Sequence, residues 1–202
     1  LYDGHFPEMR HPILVMKTEE PGSKQKLAAQ SGKLRSICFD MINHLVNDII
    51  VMGATPLAVQ DAIILGKTDG KVIKELVDGV AAACRANYCD LTGGETSIQP
   101  GVLEPGTFIL TSSIVGVVDR DRVLDGSTIR PGDTVMAVAS NGLHTNGYTL
   151  VRALMDRFPD LRDMAIPADA YNRHGGAEPN CFKPGATESF FDVIMRPHTA
   201  YY

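Results

Sequence analysis

One segment restricts the fold more than any other. From Asp69 to Asn87, Val72, Ile73, Leu76, Val77, Val80, Ala83 and Cys84 fall on a single stripe of a helix. Strand-like runs flank it. Pro56–Leu65 is apolar and closes at Gly66-Lys67, and Asp90–Thr92 reads as a short strand entering a Gly93-Gly94 turn. The alternation continues along the chain. His11–Lys17 reads as a buried strand, and Ser36–Met52 as a helix with Ile37, Met41, Leu45, Ile49 and Met52 at near-helical spacing, ended by Gly53. Thr107–Val118 and Thr134–Ala139 read as β-rich runs and Asn146–Phe158 as a further helix.

A chain of 202 residues is long enough for one full domain and part of a second. Apolar residues at 44% and charged ones at 21% exclude disorder as the main state. The net charge of −5 argues against a nucleic-acid partner, whose phosphates demand basic surface, but leaves room for a local phosphorylated ligand. No stretch approaches the roughly 20 apolar residues that span a membrane, so no membrane partner is expected. The start, Leu1-Tyr2-Asp3-Gly4, lacks a signal core and reads like the middle of a protein.

Cys38, Cys84, Cys89 and Cys181 sit at no metal-ligand spacing. Cys84 and Cys89 read as buried free thiols, which suits a reducing cytoplasm. After Phe158 the texture becomes rich in Pro and Gly. The boundaries expected are therefore 1–155 for a first domain, 156–190 for a linker or mobile loop, and 191–202 for the start of a truncated second domain.

Four places carry chemistry. Thr18–Lys24 ends a strand in Gly22-Ser23-Lys24, where backbone N–H groups and a lysine can meet phosphate, although a lone Gly-Ser-Lys is more simply a solvated turn. No Gly-x-x-x-x-Gly-Lys-Ser/Thr pattern is present, which excludes an ordinary P-loop. Asp40, His44, Asn47 and Asp48 share one helix face with neither Lys nor Glu on it, as a magnesium and phosphate holder would. Gly93-Gly94-Glu95-Thr96 is a glycine turn with an acid at its tip. In Ser140–Tyr148, Gly142 and Gly147 bracket His144, which can donate to an oxyanion or phosphate, or cap or pack.

Together and in this order, these blocks resemble the aminoimidazole ribonucleotide synthetase family. The family runs Thr-Asp-Gly-Val-Gly-Thr-Lys, Asp-Leu-(x)5-Asn-Asp, Gly-Ala-Glu-Pro, Gly-Lys, Gly-Gly-Glu-Thr and Ser-Ser-Gly-x-His-Ser-Asn-Gly-Tyr-Ser-Leu-Val-Arg. This chain has Thr18–Lys24, Asp40-Met41 with Asn47-Asp48, Gly53-Ala54-Thr55-Pro56, Gly66-Lys67, Gly93–Thr96 and Ser140–Arg152. The last block is the most specific. Ile194-Met195-Arg196-Pro197-His198 resembles the opening of the family's second domain.

The resemblance implies an α/β (α+β) fold, with a mixed β-sheet packed with helices that pairs across a homodimer. It makes residues 1–155 the ATP-binding, dimerising domain. It also implies an ATP-dependent cyclo-ligase of purine biosynthesis, with ATP and Mg2+ as cofactors and a small-molecule nucleotide as substrate. Formylglycinamidine ribonucleotide would become aminoimidazole ribonucleotide, with release of ADP and phosphate. His144 and Lys24 would be catalytic. Gly22, Ser23, Lys24, Asp48, Lys67, Gly93, Gly94, Glu95 and Asn146 would bind ATP or its phosphates, and Asp48 and Glu19 the metal.

The chain departs from the family at Glu19, Glu20 and Pro21, which stand for Asp, Gly and Val, and at Ile98 and Leu103, which stand for Glu and Tyr. Glu20 adds negative charge where phosphates lie and removes a permissive glycine. Other ATP-using relatives (hydrogenase-maturation dehydratase, selenophosphate synthetase, thiamine-phosphate kinase) and a non-catalytic paralogue are the alternatives.

Overall fold

The structure, a computed structural model, describes residues 2–167 and 187–202. It begins with strand β1 (Pro12–Glu19), helices α1 (Lys24–Ser31) and α2 (Leu34–Ile50), and strand β2 (Thr55–Leu65). Helix α3 (Gly70–Ala86) and strands β3 (Asp90–Ile98) and β4 (Phe108–Asp119) follow. After a long irregular stretch come α4 (Tyr148–Arg157), the two-stranded pair β5 (Ala165–Pro167) and β6 (Thr187–Ser189), and the short α5 (Phe190–Ile194).

The four long strands form one sheet in the order β1-β4-β2-β3. β4 runs antiparallel to β1 and β2, while β2 and β3 are parallel and joined through α3. The expected mixed sheet packed with helices is thus the observed architecture. The stripe on α3 buries Leu76, Val80, Ala83 and Cys84, and Asp69 caps it by accepting from the backbone N–H groups of Lys71 and Val72. Against it lies α2, which buries Ile37, Cys38, Met41, Ile42, Leu45, Val46 and Ile49. The two helices approach closely at Gly79, where a Cβ would meet Cys38 Sγ at 2.8 Å.

Strand alternation separates two faces. Ile114, Val59 and Ile63 turn to the helices and are buried, whereas Leu14 and Met16 on the other face are 54% and 73% exposed. Cys38, Cys84 and Cys89 are free and buried, as expected for the last two. Among the described residues no helix is long and apolar enough to cross a membrane.

Several local expectations need correction. Gly93-Gly94 is not a turn: β3 continues through it to Ile98, paired with β2 after a one-residue bulge at Thr92. A Cβ at Gly94 would collide with the Asp61 carboxylate, so glycine serves close cross-strand packing there. Thr134–Ala139 forms no strand. Val135, Met136 and Val138 are 92%, 87% and 73% exposed, because a β-prone run needs a ladder partner and none stands beside it among the described residues. Helix α1 follows directly on the Gly22-Ser23 loop, a weakly patterned segment that periodicity does not reveal. Most of the expected 156–190 linker, residues 168–186 with Cys181, lies outside the described residues.

Candidate functional site

Helix α2 presents Asp40, Asn43, His44, Asn47 and Asp48 to two neighbours, the end of β1 and the segment 195–201. That segment lies along the helix and is held by side chains. Asn43 Nδ2 donates to the His198 carbonyl at 2.6 Å and Asn47 Nδ2 to that of Thr199 at 3.0 Å, while Asn47 Oδ1 accepts from Tyr201 N–H at 2.9 Å. Asn141 pins it from the other side, through the Pro197 carbonyl and the Thr199 N–H. Two α2 amides thus replace the ladder that a strand partner would supply.

Asp40 is fully buried and faces two cations or donors. Its Oδ2 pairs with Lys24 Nζ at 2.6 Å, and its Oδ1 accepts from His198 N–H at 3.0 Å with His198 Nδ1 at 2.8 Å. Lys24 is buried too. Its ammonium also donates to the carbonyls of Arg196 (2.7 Å) and His144 (3.4 Å) and lies 5.2 Å from the Tyr148 ring. Burial holds Lys24 below its ordinary value although Asp40 pulls the other way. Expected on phosphate, Lys24 is instead enclosed by protein groups and ties β1's exit loop to the His144 loop.

The His144 ring is half-buried and stacks on His198, and its Nε2 is 3.1 Å from Ser140 Oγ. Burial, and next the neighbouring His198, hold its pKa below the usual histidine value, so the ring is neutral near pH 7. Thr145, the next residue, reaches His44 Nδ1 at 3.2 Å.

The second half of the cluster lies where α2 meets β1. Glu19, His44 and Asp48 bring one ligand atom each within 4.8 Å of one another. Lys17 Nζ sits 3.0 Å from both carboxylates. Burial would raise Glu19, but hydrogen bonds from Lys17 and the Glu20 N–H, with the charges of Lys17 and His44, hold it below the usual range. Beside Glu19 in the sheet, the buried Ser112 stands between it and Asp61, whose carboxyl burial pushes up.

The Gly22-Ser23 loop carries its own anion. Glu20 Oε2 accepts from the Gly22 N–H at 2.9 Å and from Gln25 Nε2 at 2.9 Å. The structure therefore gathers Glu19, Gly22, Ser23, Lys24, Asp48 and His144 around the start of α1 and the outer face of α2. Asn146 is exposed nearby in the His144 loop. Four expected residues lie elsewhere: Lys67, and Gly93, Gly94 and Glu95 together on β3. Lys67 is exposed on a separate cavity of about 460 Å3 beside Leu34, at the far end of α2, roughly 20 Å from Asp48 at 1.5 Å per residue. Glu95, paired with Ala62, projects from the open face of the sheet.

Sequence reasoning missed Lys17, Asn43, Asn141 and His198. Lys17 left a trace, since it shares the helix-facing parity of Ile13 and Val15 on β1. His198 was marked only as part of the segment resembling the second domain's opening, and its role was hidden because its partner Asp40 is 158 residues away.

The family profile described as "AIR synthase related protein, N-terminal domain" matches residues 10–118. The chain belongs to the AIR synthase related family. This AIR synthase related chain is 39% identical over 194 residues to the phosphoribosylformylglycinamidine cyclo-ligase of Methylobacillus flagellatus, covering 96% of itself and 51% of that protein. With the namesake of Nitratidesulfovibrio vulgaris it shares 37% over 201 residues, 100% of the chain and 53% of the relative. The chain thus spans about half the length of these relatives. Among solved structures, PurLQS from Thermotoga maritima superposes with a TM-score of 0.50 at 21% identity, over 60% of this chain and 19% of that one, which shows a shared fold.

Proposed function

We propose that the protein containing this chain is an ATP-dependent cyclo-ligase that converts formylglycinamidine ribonucleotide to aminoimidazole ribonucleotide. The observation that carries this reading is the cluster itself: Glu19, Lys24, Asp40, Asp48 and His144, from three of the family blocks, meet around one helix, and the relatives named as cyclo-ligases align over 96% of the chain. In the reaction ATP transfers its terminal phosphoryl group to the formyl oxygen of the substrate. An internal nitrogen attacks the activated carbon, the C–N bond closes the ring, and the C–O bond breaks with phosphate as leaving group. Holding both ends in one cleft makes the attack effectively unimolecular.

The residues divide the work. Neutral His144, steadied by Ser140 and by the His198 ring, would donate to the activated oxygen as charge develops there. Lys24 acts as a positioning residue, since its ammonium holds the His144 and Arg196 carbonyls. The Glu19 and Asp48 carboxylates fit a divalent cation such as Mg2+, which when bound screens the negative charge of nucleotide phosphates. Gly22 and Ser23 would offer N–H groups to phosphate once Glu20 withdraws.

Lys67 and Glu95 would join an ATP site only with help from a second copy or the rest of the chain. The exposed Leu14, Met16 and Ile109 on the open sheet face, beside a cavity of about 550 Å3 lined by Tyr2, Phe6, Leu57 and Val115, support a homodimer through that face. The free thiols support a cytoplasmic setting.

A coupled ADP-release assay on the full-length protein with formylglycinamidine ribonucleotide tests the reading. ADP formed only in the presence of that substrate supports it; absence of substrate-dependent ADP defeats it.

A further inference from the structure

Two carboxylates and an imidazole nitrogen converge where β1 meets α2. His44 Nε2 stands 3.6 Å from Asp48 Oδ2 and 4.0 Å from Glu19 Oε2, too far to donate a hydrogen bond to either. The other ring nitrogen is engaged by Thr145 Oγ1 at 3.2 Å. With the proton on Nδ1, that contact fixes the ring and aims the Nε2 lone pair at the carboxylates, as an outer hydrogen bond does for a metal-binding histidine. The two carboxylates repel one another unless positive charge lies among them. Here the cation is Lys17, whose ammonium touches both acids at 3.0 Å.

We propose that Glu19, His44 and Asp48 form a divalent-cation site whose resident competitor is Lys17, and that His44 tilts the site toward transition-metal ions over magnesium. The inference rests on reading this cluster as the nucleotide site's metal position. Magnesium prefers an all-oxygen shell and parts reluctantly with its water. An imidazole nitrogen in place of one oxygen favours first-row transition ions, and manganese, the weakest binder of that series, is the mildest probe of the preference. Lys17 can be displaced because its side chain is 35% exposed and its four-carbon stem can swing to water. Its departure costs two partly exposed ion pairs, so the site binds metal more weakly than its ligands alone would allow. Metal entry and Lys17 release are therefore one event.

The test uses the full-length protein without nucleotide, titrated with Mn2+ and followed by the paramagnetic resonance signal of the free ion, with Mg2+ as competitor. Wild type should bind Mn2+ and give it up to Mg2+ only at a large excess. Lys17→Met should tighten Mn2+ binding by roughly tenfold, the worth of about two exposed ion pairs. His44→Gln should weaken Mn2+ binding and erase the preference over Mg2+, while Asp48→Asn weakens both. Thermal melts of each variant confirm folding. Unchanged Mn2+ affinity in Lys17→Met, equal displacement by Mg2+ in wild type, or no Mn2+ binding in either protein overturns the proposal. The titration needs neither ATP nor turnover. A failed ADP-release assay leaves its result standing, and the reverse also holds.

Discussion

The His198 ring stacks on that of His144, with centroids 4.4 Å apart and planes 14° from parallel. His198 is itself fastened to Asp40, so a residue near the end of the chain sets the position of the loop histidine through a buried carboxylate on α2.

If His144 stabilises charge on the activated oxygen, His144→Ala should lower kcat of the full-length enzyme by about 10²–10³ and leave ATP affinity nearly intact, because that charge develops only along the reaction. Steady-state kinetics with nucleotide titration reads both. Normal turnover per folded molecule, with a lowered Tm, would make His144 a packing residue.

The same ring gives a pH dependence. Its pKa in the folded protein lies below the ordinary 6.5, so the unfolded chain binds the proton more readily. The stabilisation is present above pH 6.5 and is lost as pH falls through the depressed folded value. Thermal melts from pH 7.5 to 5 should show Tm falling, and His144→Gln should flatten the fall in that window. Asp40, Lys24, His44 and His198 all bear on the ring, and a profile the variant leaves unchanged would assign the effect to them.

Asp40 and Lys24 form an ion pair with no exposure on either side. Asp40→Ala strands the Lys24 ammonium and should cost about 3–5 kcal/mol in denaturant unfolding. The double variant Asp40→Leu with Lys24→Met should recover much of that loss. A loss as large in the double variant as in the single one would place the cost in the His198 contacts instead.

Glu20 occupies the Gly22 N–H that a phosphate oxygen would use. Glu20→Gly should therefore tighten ATP binding, by about tenfold for one charge-assisted competitor removed. Calorimetry showing weaker or equal binding would mean that Glu20 orders the loop and does not compete with the ligand.

Leu14 and Met16 leave an apolar stripe on the open sheet face. Met16→Lys should convert a dimer of the full-length protein into a monomer in light scattering at micromolar concentration. A wild-type monomer would remove that face from consideration.

Local pattern determined a good deal. The α3 stripe and the α2 periodicity are written at a spacing of 3.6 residues, so each helix declares which face it buries, whereas the continuous apolar run of β1, expected to be buried, marks a strand and not its face: Leu14 and Met16 lie exposed. Asp48 and His44 were legible as chemistry because they share one helix face that carries neither Lys nor Glu, whereas Glu19 was legible only through the family resemblance of its loop. What pairs with what was not legible. Strand propensity in Thr134–Ala139 is real, but a ladder needs a neighbour and that run has none beside it among the described residues. Glycines in Gly93-Gly94 speak for a turn until Asp61 is seen filling the space a side chain would take. Lys24, read as a phosphate ligand from its loop, finds Asp40 16 residues onward and the Arg196 carbonyl 172 residues away. Those contacts join segments distant in sequence. Their energies depend on burial and on distances of a few ångströms, which only the folded chain defines.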